Sequence, residues 1–248
     1  MEASSRCSNV IAKGISSIPP ILRSGSVKRN LDSSFLNSIS SSKVKITEDD
    51  IKEDADFWNS SILCYVLGAN PPLSILEGFV RRMWSDKVER VVLLSYGIFL
   101  IQFHSIEERD EILKGGYIFF NRRPVVMKPW DSKVNFKKED VKVVPIWVHL
   151  DDLDLKYWGE KSLFKIIGQV GKPIMVDDAT KNRYKLSFLI ILIEVSIQQE
   201  LPNTIEFEDE NGFNTTVATS YEWKPLLCGH CAGLGHAIGD CRKKTTSK

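Results

Sequence analysis

The chain has 248 residues, of which 43 % are apolar and 26 % are charged, as in an ordinary globular protein. Its formal net charge is +1, whereas dedicated duplex-DNA binders usually carry a marked basic excess. Any nucleic-acid surface must therefore be local. The longest apolar run, 186–197, contains Glu194 and is shorter than the roughly 20 residues of a membrane-spanning helix. We therefore expect no transmembrane segment or membrane partner, and the N-terminus lacks the apolar stretch of a secretory signal.

Residues 1–50 are predicted to form a disordered tail. The sequence up to about Ile46 is rich in serine, basic, poor in acidic residues and without hydrophobic periodicity. A short acidic stretch, Glu48 to Asp56, leads into folded sequence. An organellar transit peptide has a composition similar to this tail, so that alternative stays open beside a nuclear or cytoplasmic location.

Residues 57–130 show the periodicities of an α+β domain. The predicted elements are a strand at 61–67, a helix at 72–84, strands at 88–94 and 98–103, a helix at 106–113 and a last strand or hairpin at 117–128. In the first helix, Ile75, Phe79 and Met83 share the predicted inner face. Right-handed crossovers fold this order into a four-stranded antiparallel sheet with both helices on one face, the RRM-like or ferredoxin-like βαββαβ sandwich.

A charged segment without apolar rhythm, 131–142, is predicted to be a linker to a second small α+β domain, 143–224. The elements expected there are a strand at 144–150, a helix at about 155–170, a strand after Gly171-Lys172-Pro173, a long strand at 185–197 and a hairpin around 209–212. The sequence 168–172 superficially suggests a phosphate-binding loop. Its spacing is wrong and no Ser or Thr follows the lysine, so a helix end and a turn are predicted instead.

Three of the five cysteines lie near the C-terminus, a distribution that favours a metal site over a disulfide framework. The spacing within 225–242 is C-x2-C-x4-H-x4-C, with Cys228, Cys231, His236 and Cys241 as candidate ligands. Zinc prefers four such ligands in a tetrahedron, so a zinc knuckle is predicted. His230 lies between the first two cysteines and is expected to be exposed. A stretch of about 14 residues cannot form a core alone, so the metal also staples the chain.

A further set of residues accompanies the two domains: Trp147-Val-His-Leu150, Tyr157-Trp158, Ile167-Gly168, Gly171-Lys-Pro173, Asp177, Leu201-Pro202 and Tyr221-Glu-Trp223-Lys-Pro225. With these residues and the knuckle, the chain resembles, over about Phe57 to Cys241, plant proteins derived from the first open reading frame of non-LTR retrotransposons. Those proteins pair an RRM-like domain of unknown function with a CCHC knuckle. The resemblance implies zinc and nucleic-acid binding, packaging of element RNA, and no enzymatic activity.

The sequence departs from this group in ways that predict weak, sequence-tolerant binding. Leu189-Ile190 replace the Ala-Arg that commonly follows Ser-Phe in the group, and Ile98 and Leu100 occupy the positions where an RRM stacks bases on aromatics. Gly229 and Ala237 stand where retroviral-type knuckles grip a base. The candidate nucleic-acid contacts that remain are Tyr65 on the first strand, Leu234 and Ile238 in the knuckle, and the basic residues Lys224, Arg242, Lys243 and Lys244.

We find no phosphate-binding loop, nucleophile elbow or zincin motif, and the acidic groups at 151–154 and 206–210 are better explained by a helix start and a hairpin turn. No enzymatic activity and no small-molecule substrate are therefore predicted. The favoured hypothesis is a zinc-dependent protein that binds single-stranded nucleic acid, with RNA favoured over DNA and self-association left open. The alternative is a protein-interaction module or structural remnant in which zinc only staples the C-terminus. Near-zero net charge and the missing aromatics speak for the alternative.

Overall fold

Two antiparallel five-stranded sheets make up most of the protein in the computed structural model, which describes residues 43–132, 138, 141–184 and 186–243. The predicted mixed α/β class is confirmed. Both sheets belong to one compact unit that begins at Thr47. Among the described helices, none combines the length and the apolar character that crossing a bilayer requires.

The elements of the first half agree closely with the predicted ones. They are α1 (Glu48–Trp58), β1 (Ser61–Val66), α2 (Leu73–Trp84), β2 (Val88–Ser95), β3 (Ile98–Phe103), α3 (Ile106–Lys114), β4 (Ile118–Phe120) and β5 (Arg123–Pro129). The strand order is β2-β3-β1-β5-β4. Ile62, Cys64 and Val66 of β1 pack in one core with residues of α2 and α3, so both helices cover the same face. The predicted βαββαβ order is thus observed, with β4 as an additional edge strand.

Helix α2 buries only part of the predicted face: Phe79 packs against the core, as expected, but Ile75 and Met83 do not. Leu76 and Val80 are its buried residues, whereas Ile75 and Met83 are 55 % and 46 % exposed. The two pairs are both spaced at helical intervals, and seven of the twelve residues of the helix are apolar. Periodicity alone could not choose between the faces, and packing in the core of the first sheet decides it.

The second half contains β6 (Val143–Asp151), α4 (Glu160–Ile167), β7 (Lys172–Val176), α5 (Asp178–Lys181), β8 (Phe188–Ser196), β9 (Thr204–Glu208) and β10 (Asn214–Tyr221). Its strand order, β7-β8-β6-β10-β9, repeats the connectivity of the first sheet, with β6 in the place of β1. No helix occupies 197–203, the described segment that corresponds to α3. The helix predicted at about 155–170 is shorter than expected, since α4 spans only Glu160–Ile167. Gly168 is its C-cap residue, which agrees with the prediction that the helix ends there.

Glycines with positive φ close the predicted hairpins. Gly97 has φ +70° between β2 and β3, and Gly212 has φ +85° between β9 and β10. In the second hairpin the Asp209 carboxylate accepts hydrogen bonds from the backbone N–H groups of Asn211 and Phe213, both at 2.8 Å. These contacts are local in sequence, which explains why the turns could be predicted.

The face of the first sheet opposite its helices is covered. Leu63, Ile98 and Leu100 are at most 7 % exposed and pack against Trp58 of α1 and Trp130 after β5. This agrees with the expectation that the sheet is not a conventional base-stacking platform. Helix α1 begins at Glu48, inside the predicted 1–50 tail, most of which lies outside the described residues.

Helix α1 is attached to the sheet through polar and aromatic contacts. The Gln102 amide donates to the Phe57 carbonyl at 2.9 Å and accepts from Arg90 Nε at 2.6 Å. The Arg90 guanidinium also lies 4.9 Å and 5.0 Å from the ring centres of Phe57 and Trp58. Arg90 therefore joins the end of α1 to β2 and β3.

The two halves share a core. Tyr65 near the end of β1 and Leu67 just after it belong to the buried cluster that α4 forms with the second sheet. The Tyr117 hydroxyl donates to Glu194 at 2.9 Å, and the rings of Phe119 and Trp147 are 5.8 Å apart. The hairpin of β4 and β5 thus packs on the second sheet, and the end of β1 lies at the boundary between the halves.

Candidate metal centre and its surroundings

The four predicted metal ligands lie together in space. One ligand atom from each of Cys228, Cys231, His236 and Cys241 lies within 4.8 Å of the other three. Cys228 and Cys241 are 2 % and 5 % exposed, and Cys231 and His236 are partly buried. These residues could therefore bind a metal ion with little solvent at the ligands.

Backbone hydrogen bonds within the knuckle (residues 225–242) fix the first two ligands. Cys228 N–H donates to the Gly233 carbonyl, and Ala232 N–H donates to the Cys228 carbonyl, both at 2.9 Å. Ala232 adopts φ +54°, which turns the chain back after Cys231. Gly233 N–H then donates to Cys231 Sγ at 3.4 Å.

The donor set fits zinc. Bonds of about 2.3 Å to sulfur and 2.0–2.1 Å to nitrogen place tetrahedral S and N ligands about 3.6 Å apart. Cys231 Sγ and His236 Nε2 are 3.4 Å apart, close to that value. Three thiols and one imidazole also suit zinc better than they suit magnesium or calcium, which prefer oxygen ligands.

The two buried thiols differ in acidity. Burial raises the pKa of Cys228. Hydrogen bonds from the backbone of Cys231 and His230 and from the Cys241 and Cys231 thiols together outweigh that effect, so the net pKa is lowered to about 6. Burial is the main reason that the pKa of Cys241 is raised. Cys228 is therefore more easily deprotonated than Cys241, and metal binding, which requires thiolates, depends on pH.

His230 lies beside the cluster without belonging to the four-ligand set. It is exposed, as predicted, and its Nδ1 is 3.5 Å from Cys241 Sγ. A ring nitrogen at that distance interacts with the sulfur of a neighbouring ligand. The His230 ring therefore contacts the sulfur of Cys241 from outside the set of four ligands.

The knuckle packs on the rest of the protein. Leu227 and Leu234 pair as an isolated antiparallel bridge, and Leu234 packs against the shared core. Gly235 N–H donates to the Leu226 carbonyl at 2.7 Å. Gly235, with φ +96°, lies against Gly68 at the end of β1, where an added Cβ would meet the Gly68 carbonyl at 2.2 Å. The metal centre is thereby held at the boundary between the halves.

The predicted nucleic-acid contacts fall into different environments. Ile238 is 50 % exposed, whereas Leu234 is only partly exposed. Lys224 donates to Asn203 at 3.2 Å and lies over the Tyr221 ring. Arg242 and Lys243 are exposed, next to the last ligand. Lys244 lies outside the described residues.

Tyr65 does not have the environment that base stacking requires. The residue is 7 % exposed, and its ring packs in the core shared by the two halves. A base could not reach either face of this ring in the observed arrangement. The expectation that Tyr65 stacks on a base is therefore at odds with the structure, because the second half and the knuckle bury the end of β1.

Comparison with known proteins finds a family match in the first half. Residues 54–138 match the family described as a domain of unknown function, DUF4283. The match covers less than half of the chain and coincides with the region predicted to be an RRM-like domain of unknown function. It does not include the knuckle.

A solved structure of the RNA-binding domain of Hrp1 in complex with RNA is also similar to the chain. The sequence identity is 15 %, and the alignment covers 54 % of this chain and 80 % of that one, with a TM-score of 0.25. At this TM-score the similarity carries no inference about function. No curated protein matches the chain.

Proposed function

We propose that the protein binds zinc through Cys228, Cys231, His236 and Cys241 and, in that state, holds single-stranded nucleic acid, RNA in preference to DNA. The observation that carries the proposal is the convergence of these four side chains within 4.8 Å. Zinc knuckles are a recurrent means of holding single strands. A site with four protein ligands leaves no open position for a reactive water, so the proposal includes no catalytic step.

The proposed contact surface comprises the exposed side of the knuckle and the basic residues that flank it. Ile238 offers an exposed apolar side chain, and Arg242 and Lys243 offer exposed cations beside Cys241. Lys224 lies just before the knuckle on the other side. Without a Phe, Tyr or Trp in the knuckle, stacking is weak, and contacts to phosphate supply most of the affinity. Binding is therefore expected to depend little on sequence and strongly on salt.

The proposal extends to the origin of the chain, a first open reading frame of a non-LTR retrotransposon. It is supported by the order of the parts: a domain of unknown function over 54–138, a second α+β half, and a cluster with knuckle spacing. In such a protein the two sheets position the knuckle or bring copies together on RNA.

The test is a titration of the zinc-loaded full chain with fluorescent single-stranded RNA and DNA at low and moderate salt. A double variant, Cys228→Ser with Cys231→Ser, removes two ligands. We expect binding that weakens with salt, favours RNA and falls at least tenfold in the double variant. Lack of binding by protein shown to hold zinc would overturn the proposal.

A second pair of variants tests the basic residues. Arg242→Gln with Lys243→Gln should weaken binding and reduce the salt slope by up to about 1.4, because each phosphate contact to a single strand contributes about 0.7. Lys161→Gln with Lys165→Gln removes the same charge from exposed positions on α4 and serves as the matched control. Equal effects from the two pairs would indicate a general charge effect and contradict a local contact.

A purely structural zinc site is the second candidate function. It is favoured by the packing of Leu234 and Gly235 on the end of β1, which gives the metal a role in holding the halves together. In that case zinc removal lowers the melting temperature, while nucleic acid binds neither form of the protein. The titration above therefore separates the two functions.

A further inference from the structure

The connection between β7 and β8 presents an exposed aromatic side chain. Tyr184 is 81 % exposed, more than any other Phe, Tyr or Trp in the part of the chain that the structure describes. Its backbone is nevertheless fixed, because Tyr184 N–H donates to the Ala179 carbonyl at 2.9 Å and Arg183 N–H donates to the Thr180 carbonyl at 3.0 Å. The Thr180 side chain is buried, and its hydroxyl oxygen accepts from Ile190 N–H at 3.0 Å. The ring is thus exposed to solvent on a backbone that is hydrogen-bonded to β8.

Cations flank this ring. Lys181 and Arg183 are exposed, and residues 179–193 include no acidic residue. The nearest carboxylates before that segment are those of Asp177 and Asp178. The Asp177 carboxylate accepts a hydrogen bond from the backbone N–H of the second residue after it at 3.0 Å, and Asp178 is exposed. The connection therefore carries positive charge beside Tyr184, although the whole chain has a net charge of only +1.

The face of the second sheet opposite α4 is accessible where β8 begins. On β10, Ala218 and Ser220 lie on this face and are exposed. On β6 and β8, His149 and Phe188 also lie on it, with their rings 5.1 Å apart and nearly parallel, and His149 Nε2 is 3.3 Å from the Glu222 carboxylate. The corresponding face of the first sheet is covered by two tryptophans. The second half, and not the first, therefore leaves room for a bound chain along its sheet.

An exposed aromatic ring beside cations is the combination by which proteins hold single strands. Bases of any sequence stack on such a ring, while Lys and Arg neutralise the neighbouring phosphates. Arginine also forms paired hydrogen bonds with a phosphate group. The fixed backbone reduces the entropy that the connection loses on binding. Since the knuckle has no Phe, Tyr or Trp, a strand held there gains stacking only from another part of the protein.

We propose that the β7–β8 connection is a second contact for single-stranded nucleic acid, in which one base stacks on Tyr184 and the adjoining phosphates lie on Lys181 and Arg183. The inference rests on the proposed function for the identity of its ligand. It assigns to the second half the stacking that the knuckle lacks, and it places the phosphate contacts on a local basic segment of a nearly neutral chain.

The test measures the binding of fluorescent single-stranded RNA to the zinc-loaded full chain. Tyr184→Ala should weaken binding about fivefold to tenfold, whereas Tyr184→Phe keeps the ring and should bind as tightly as the unmodified protein. Lys181→Gln with Arg183→Gln should reduce the salt slope by up to about 1.4, because each phosphate contact to a single strand contributes about 0.7.

Tyr96→Ala is the matched control for the ring. Tyr96 is 71 % exposed and lies in the turn between β2 and β3, which the repeated strand order makes the counterpart of the β7–β8 connection. Its substitution should leave the affinity unchanged. Lys161→Gln with Lys165→Gln again controls for the loss of charge. Equal losses from Tyr96→Ala and Tyr184→Ala would overturn the proposal.

Cross-linking locates the contact directly. RNA that contains 4-thiouridine is cross-linked to the zinc-loaded protein by ultraviolet light, and the protein is then cleaved after acidic residues, which places Tyr184 in the peptide 179–194. Mass spectrometry should find nucleotide on this peptide, and less of it in Tyr184→Ala.

The outcomes separate this contact from the proposed function. If RNA binds in a zinc-dependent way, but Tyr184→Ala binds normally and the peptide is not cross-linked, the proposal is overturned and the proposed function stands; the surface is then left for an acidic protein partner. If the peptide is cross-linked and Tyr184→Ala weakens binding, while Cys228→Ser with Cys231→Ser has no effect, the β7–β8 contact holds and the zinc-dependent function fails. RNA that does not bind at all overturns both.

Discussion

Gly235 of the knuckle and Gly68 after β1 are in direct contact: a Cβ on Gly68 would lie 3.2 Å from Gly235 Cα, and one on Gly235 would lie 2.2 Å from the Gly68 carbonyl oxygen. Both residues have positive φ, +66° at Gly68 and +96° at Gly235. The same carbonyl oxygen accepts a hydrogen bond from Arg123 at 2.5 Å. The absence of side chains at these two positions thus lets the metal centre lie against the first sheet.

Gly235→Ala should release the knuckle from this surface. The methyl group would overlap the Gly68 carbonyl, and a non-glycine residue at φ +96° adds strain of about 1–3 kcal/mol. We expect a loss of unfolding free energy of at least that size, measured by chemical denaturation of the zinc-loaded protein.

Gly239→Ala is the matched control, because nothing lies within 4 Å of the site where its Cβ would be built. It should leave the unfolding free energy nearly unchanged. Equal destabilisation by the two substitutions would show that the Gly68–Gly235 contact has no special role.

Local patterns predicted much of this protein, and long-range packing accounts for what they missed. Strand β3 and the hairpin at Asp209 follow from alternation and turn residues that are close in sequence. The metal ligands were predictable because their spacing is itself local. In contrast, the inner face of α2 and the burial of Tyr65 depend on contacts with distant segments. So do the Gly68–Gly235 contact and the repeated strand order.

Cys64 should be chemically inert in the folded protein, unlike the knuckle cysteines. It is 1 % exposed, and burial raises its pKa to about 12, so both access and thiolate formation are suppressed. After zinc is removed by a chelator, iodoacetamide at mildly alkaline pH should label Cys228, Cys231 and Cys241 but leave Cys64 unmodified. Mass spectrometry of the digested protein provides the measurement.

Two controls accompany this labelling. The zinc-loaded protein should be protected at the three knuckle cysteines, and a denatured sample should be labelled at Cys64 as well. Labelling of Cys64 at the rate of Cys231 in the chelated protein would mean that metal loss unfolds the first sheet. That result would contradict the prediction that Cys64 stays buried after metal loss.

Arg90→Met should loosen helix α1. The substitution preserves much of the side-chain length but removes the 2.6 Å hydrogen bond to Gln102 and the charge over the rings of Phe57 and Trp58. A hydrogen bond from a charged group contributes about 1.5–3 kcal/mol, so the unfolding free energy should fall by about that amount. Hydrogen exchange at the end of α1 should accelerate.

The control for Arg90 is Arg82→Met, on the exposed side of α2. It removes the same charge without touching α1 and should change the unfolding free energy by less than about 0.5 kcal/mol. Unchanged exchange in α1 of the Arg90 variant would contradict the role of Arg90 as the residue that attaches the helix.

Glu210 should make stability depend on acid pH. Its carboxylate accepts hydrogen bonds from Lys156 Nζ at 2.6 Å and from the Tyr157 hydroxyl at 2.7 Å. Mainly because of the bond from Lys156, its pKa falls from the ordinary value of 4.5 to about 2. The lower folded-state pKa means that the contribution to stability is present above 4.5 and is lost as the pH falls towards 2.

Glu210→Gln should therefore flatten the decline in melting temperature across that pH interval, without much effect near neutral pH. The two charged side chains, Lys156 and Glu210, are exposed, so the effect should be small and should shrink at high salt. Glu206→Gln, an exposed residue on the adjacent strand, provides the control and should keep the decline of the unmodified protein. Identical pH profiles for the Glu210 variant and the unmodified protein would show that the link between the 155–157 turn and the β9–β10 hairpin contributes nothing to stability.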